Sequence, residues 1–311
     1  MKRLPILIIS VGLLAACGTS QSGVLGQAPT GSARPSAPAS STASTPSQPP
    51  GTAQPTAGPQ TPASVPAATP AQSPARQVSL QAWFTRQGKL FVSERTVPAT
   101  VSIGRAAING VLAGPSAAEY SAGLRSQIPA GTKLLGLTIR SGIATADFSS
   151  SFGSAATPST MALRIAQVVY SLAQFPTVTG VRFEINGQGV TVVGGVPVQA
   201  PQTTAMYSGY LPAITVQNPA IGEQVSSPVT IAGTADVFEA VVSVQILDSQ
   251  GNQIAKTFST ASCGTGCRGN YSLPVSYTVA TAQPGTIEVF ESSPKDGKPV
   301  NVQLIPVMLM P

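Results

Sequence analysis

The feature that most constrains the fold of this chain is a break in composition at Gln77. Residues 18–76 are dominated by Pro, Ser, Thr, Ala, Gly and Gln, with no aromatic residue, no acid, and only Arg34 and Arg76 charged. Such a segment cannot bury enough apolar surface to offset the entropy of ordering it. Twelve of its 59 residues are proline, which stiffens it toward polyproline II and gives it a reach between roughly 40 Å as a coil and about 180 Å when extended. It reads as a disordered tether, so folding is confined to the roughly 235 residues that follow, a length that suits two domains.

Ahead of the tether, Lys2 and Arg3 precede an apolar run from Leu4 to Leu14 that ends in Leu14-Ala15-Ala16-Cys17. The charges, the length and the small residues mark residues 1–16 as a signal peptide. Interrupted by Pro5 and Gly12, the run falls well short of the roughly 20 apolar residues that span a bilayer. Leu14 to Cys17 resembles the bacterial lipobox, which implies that the Cys17 thiol receives a diacylglyceryl group and becomes the mature N-terminus. The expected location is then extracytoplasmic, on a bacterial membrane, with residues 17–76 as lipidated cysteine and linker. Two acyl chains give a stable anchor where one does not. Loss of Lys2 and Arg3 lowers the formal charge from +6 to +4, and the remaining basic residues are scattered, so no nucleic-acid patch is visible.

From Gln77 the sequence alternates apolar and polar residues. Val78 to Phe84 and Lys89 to Val92 read as strands about a Gln87-Gly88 turn, with Trp83 in the core. Thr100 to Leu112 reads as a helix burying Val101, Ile108, Val111 and Leu112, stopped by Gly114 and Pro115. A second helix starts near Ser159 or Thr160. Its Met161, Ile165, Val168, Val169 and Leu172 fall on one face. Strands are predicted at Lys133 to Ile139 and Ile143 to Phe148. A hairpin is predicted from Val181 to Ile185, through Asn186-Gly187, to Val190 to Val193. Gly194-Gly195 reads as a domain-end turn. These elements make residues 77–198 a mixed α/β layer domain within an α+β chain.

Residues 213–310 read instead as short strands separated by turn signals. The candidates are Val229 to Ala232, Ala240 to Leu247, Gln253 to Phe258, Leu273 to Val279, Thr286 to Phe290 and Val300 to Leu309. Turns are placed at Gly251-Asn252, Pro284-Gly285 and Asp296-Gly297. The pattern predicts an antiparallel β-sandwich.

The order of residues in the first domain resembles the GerMN domain of bacterial sporulation and germination proteins. The resemblance rests on Ile128-Pro129-Ala130-Gly131-Thr132-Lys133-Leu134-Leu135, on Ala146-Asp147-Phe148-Ser149 with Phe152, and on Gln167 to Pro176 leading to Val181-Arg182-Phe183-Glu184-Ile185-Asn186-Gly187. It implies a ring-forming envelope module, with self-association through residues 77–198. The second domain is similar to the immunoglobulin-like domain of bacterial germination proteins. That likeness rests on Asn218-Pro219, on Ser227 to Ala235, on Phe238-Glu239-Ala240 and on Val289 to Gly297.

Cys263 and Cys267 flank Gly264-Thr265-Gly266 between two predicted strands, and a secreted protein permits their oxidation. A local disulfide is expected. The alternatives, redox activity or a metal site, lack the Cys-x-x-Cys spacing and a sufficient ligand set. The chain has no histidine, which removes the commonest general base and zinc ligand. No cofactor fingerprint is present, and no catalytic or metal residue is assigned. A carboxylate hydrolase would draw on Asp147 and Glu184, although each lies in an alternating strand where a polar residue needs no catalytic role. Three functions remain open: a non-catalytic envelope scaffold, a monomeric module binding a wall polymer or surface protein, and a carboxylate hydrolase.

Overall fold

β1 (Gln77–Arg86) and β2 (Lys89–Pro98) form an antiparallel hairpin paired along its whole length. Its turn residues Gln87 and Gly88 both have left-handed backbones, with φ of 51° and 74°, the hand that matches strand twist in a two-residue hairpin. The computed structural model that shows this describes residues 76–311, which belong to one compact unit. The signal peptide, Cys17 and the linker up to residue 75 lie outside the described residues.

α1 (Ile103–Leu112) and the single turn α2 (Ala117–Ser121) follow the hairpin. Ile108 and Val111 are buried as their spacing predicts, but Val101 precedes the helix and is fully exposed. The helix starts only at Ile103, and its Gly104 sits close to the next sheet. A methyl added at Gly104 would lie 3.2 Å from Leu137. α2 escapes the periodicity because five residues carry no period. Its capping box, Ser116 with Glu119, is the readable signal.

β3 (Leu134–Arg140), β4 (Ile143–Phe148), the long helix α3 (Pro158–Ala173), β5 (Gly180–Ile185) and β6 (Gln188–Gly189) complete a sheet of order β3-β4-β5-β6. β4 and β5 run parallel, with α3 as the crossover. The predicted hairpin after β5 is cut short. β6 has two residues, and Val192–Val193 (β7) turn away to pair with Val196–Pro197 (β8). Gly194-Gly195 is therefore the tip of a small second hairpin rather than a domain-end turn. At Gly194 any side chain would collide with Met161.

α3 departs from a one-faced helix. Met161, Ile165, Val168, Val169 and Leu172 are buried, and so is the adjoining stripe of Arg164, Gln167 and Ser171. Gln167 donates to the Trp83 carbonyl at 2.8 Å and accepts from the Gln127 N–H at 2.7 Å. Ser171 accepts from the Trp83 N–H at 3.1 Å. Arg164 donates to the carbonyls of Gln127 and Phe152. The outward backbone groups of Trp83 in β1 are thus satisfied by side chains of a helix, and those of Thr85 by the backbone of Arg125, which protects an otherwise open strand edge.

In the second half, β9 (Ile214–Asn218), β10 (Gln224–Val225), β11 (Val229–Ala235), β12 (Val241–Leu247), β13 (Gln253–Thr260), β14 (Gly269–Val275), β15 (Gln283–Ser292) and β16 (Pro299–Leu309) form two sheets. The orders are β10-β16-β15-β12-β13 and β14-β11-β9. Alternate residues of β11 and β14 are buried, as a sheet with one face on the core requires. This is the immunoglobulin-like sandwich, and the one departure from antiparallel pairing is the short β10–β16 contact. Pro284-Gly285 is not a turn. The pair lies inside β15 opposite Met308 and Val307, because Gly285 lets Leu309 and the Leu247 carbonyl approach closely. β14 ends at Val275, four residues before its predicted end.

The buried apolar residues of both halves form one connected cluster, and β2 packs against β9. Among the described residues no helix is long and apolar enough to cross a membrane.

Candidate functional site

Where the hairpin tip of β1–β2 meets β16, a groove of about 320 Å³ opens between the two halves. Arg86, the last residue of β1, extends across it. Its guanidinium donates to the Leu304 carbonyl at 2.9 Å and to the Gln303 amide oxygen at 2.6 Å. The same group lies 4.4 Å from the centre of the Phe91 ring, a cation–π arrangement. Burial lowers the Arg86 pKa from its ordinary value, yet a guanidinium keeps its proton in a protein. Lys89, on the far side of the turn, donates to the Gly209 carbonyl at 2.8 Å. The groove lining also includes Ala122, Pro212 and Leu304 and contains no acid. Two cations, each hydrogen-bonded to an oxygen of this chain, thus border an apolar floor. Sequence reading misses it because Arg86 and Lys89 flank a hairpin turn, whereas Leu304 lies more than 200 positions away.

The two cysteines predicted to pair are bonded, with Cα atoms 5.6 Å apart. Their loop is tied to the segment between β11 and β12. Thr265 N–H donates to the Val237 carbonyl at 3.0 Å, Gly266 N–H donates to Asp236 Oδ1 at 2.7 Å, and Glu239 N–H donates to Thr265 Oγ1 at 3.2 Å. At Gly264 a methyl would lie 2.5 Å from the Ala240 nitrogen, so only glycine permits this approach. The braced segment carries Phe238 at its tip, 50% exposed.

Asp147 and Glu184 are brought side by side, in register on parallel neighbours β4 and β5. Asp147 Oδ1 accepts the Gly187 N–H at 2.9 Å, which fixes the Asn186-Gly187 turn and gives this acid a structural task. Trp83 is buried against Tyr170, with ring centres 4.8 Å apart, as a core residue. No three side chains of His, Cys, Asp or Glu come together to hold a metal among the described residues.

Residues 71–191 match the family described as sporulation and spore germination. Residues 213–298 match the immunoglobulin-like domain of bacterial spore germination. Among solved structures, the first GerMN domain of the sporulation protein GerM from Bacillus subtilis is 24% identical, with 41% of this chain and 98% of that chain covered and a TM-score of 0.35. The tandem GerMN domains of GerM from the same organism are 15% identical, with 76% and 61% covered and a TM-score of 0.37. A candidate lipoprotein from Clostridium perfringens is 18% identical, with 44% and 94% covered and a TM-score of 0.32. No curated protein matches the chain. The chain thus carries a domain of the sporulation and spore germination family followed by an immunoglobulin-like domain of bacterial spore germination.

Proposed function

We propose that this chain is a non-catalytic assembly module of the bacterial envelope, held to a membrane through lipid on Cys17 and joined to further copies of itself through its folded part. The observation that carries this reading is the shared core of the two germination-type halves. Two modules joined by a continuous core present one composite surface of fixed geometry, which is what a repeating assembly needs and a flexible pair of binding domains lacks. The tether at residues 18–76 gives the folded part room to meet neighbours on the same membrane.

Cross-linking of the full chain at its native membrane tests the reading. Covalent multimers of this chain alone are the expected product. Adducts only to a different protein or to wall polymer would favour a monomeric binding module instead.

A further inference from the structure

Phe238 is a large apolar side chain, half exposed on a loop fastened by several hydrogen bonds. Its own N–H donates to Glu291 Oε1 at 2.9 Å. The two residues after it, Glu239 and Ala240, have left-handed backbones with φ of 50° and 59°. Such conformations are unfavourable for a non-glycine residue, and here the Cys263–Cys267 loop secures them. A rigid aromatic tip loses little conformational entropy when it is bound, and buried aromatic anchors supply much of the energy of protein contacts. The tip is acidic, since Glu239 adjoins Phe238 and Glu291 contacts its backbone.

We infer that Phe238 of one copy inserts into the groove between the halves of a second copy, with Glu239 facing Lys89. The inference rests on the self-association proposed above and names the two surfaces that make it. The complementarity is specific. The tip is an apolar ring flanked by carboxylates, and the groove is an apolar floor flanked by Arg86 and Lys89 with no acid in its lining. Because the tip and the groove are different surfaces of one chain, the contact propagates from copy to copy unless geometry closes it.

The test is sedimentation of residues 76–311, whose two halves share one core, as wild type and as variants, over a wide concentration range. Phe238→Ala removes only an exposed side chain, so its melting curve should match the wild type while self-association weakens by at least about tenfold. Lys89→Glu and Glu239→Lys should each weaken association, and the two changes combined should restore it to within a few-fold of wild type. A role confined to folding cannot produce that rescue. If the wild type associates and all these variants associate equally well, the tip-and-groove contact is wrong while the assembly reading survives. If the wild type remains a monomer at every concentration, both fail.

Discussion

The Gln174 side chain closes both open backbone groups of Gln81: its Oε1 accepts the Gln81 N–H at 2.9 Å, and its Nε2 donates to the Gln81 carbonyl at 2.9 Å. An amide at the end of α3 thereby stands in for a neighbouring strand. Gln167 extends the same arrangement to the Trp83 carbonyl from a fully buried position. Gln174→Leu leaves two β1 groups unpaired and should destabilise the protein by about 2 kcal/mol. Gln167→Leu should cost at least as much. Denaturant unfolding measures both, and amide exchange should quicken at Gln81 in the first variant.

Glu119 is almost completely buried and accepts two hydrogen bonds from Arg95, at 2.8 and 2.6 Å. Burial alone would raise its pKa, but the hydrogen bonds from Arg95, Ser93 and the Ser116 N–H outweigh it, and the net shift is downward. A carboxyl whose folded pKa lies below its unfolded value of about 4.3 contributes stability above that pH and loses it as pH falls through the folded pKa. The slope of stability against pH below about 4.3 should therefore flatten in Glu119→Gln. At neutral pH that variant should be less stable by about 3 kcal/mol, since Arg95 loses its charged partner. Thermal melts at neutral and acid pH check both statements.

Reduction of Cys263–Cys267 opens a loop whose Cα atoms are only 5.6 Å apart across four positions. So short a loop contributes on the order of 2 kcal/mol, so the sandwich should remain folded. The effect should fall on the Phe238 tip. Self-association should weaken after reduction while far-ultraviolet circular dichroism stays unchanged.

Lipid on Cys17 should decide the fraction of the chain that pellets with membranes. Cys17→Ser should move the protein to the soluble fraction and abolish incorporation of a labelled fatty acid, because the thiol that would carry the lipid is removed.

Much of the fold is legible in the sequence because its signals are local. The alternation from Ile143 to Phe148 delimits β4 to the residue, and the spacing from Met161 to Leu172 fixes the core face of α3. What escapes is non-local. Gln167 and Gln174 look like ordinary solvent-facing helix residues until β1 is seen lying against them. Val101 is exposed because α1 begins two residues beyond it, at Ile103. The groove joins a hairpin turn to a strand at the other end of the chain, and no spacing encodes that meeting. The cysteine pair is the exception, because four positions of separation already bring the sulfurs within reach.

Light scattering of residues 76–311 across a wide concentration range tests the central claim most directly. The account predicts a mass that rises with concentration above that of the monomer. A strictly monomeric mass at every concentration would contradict it.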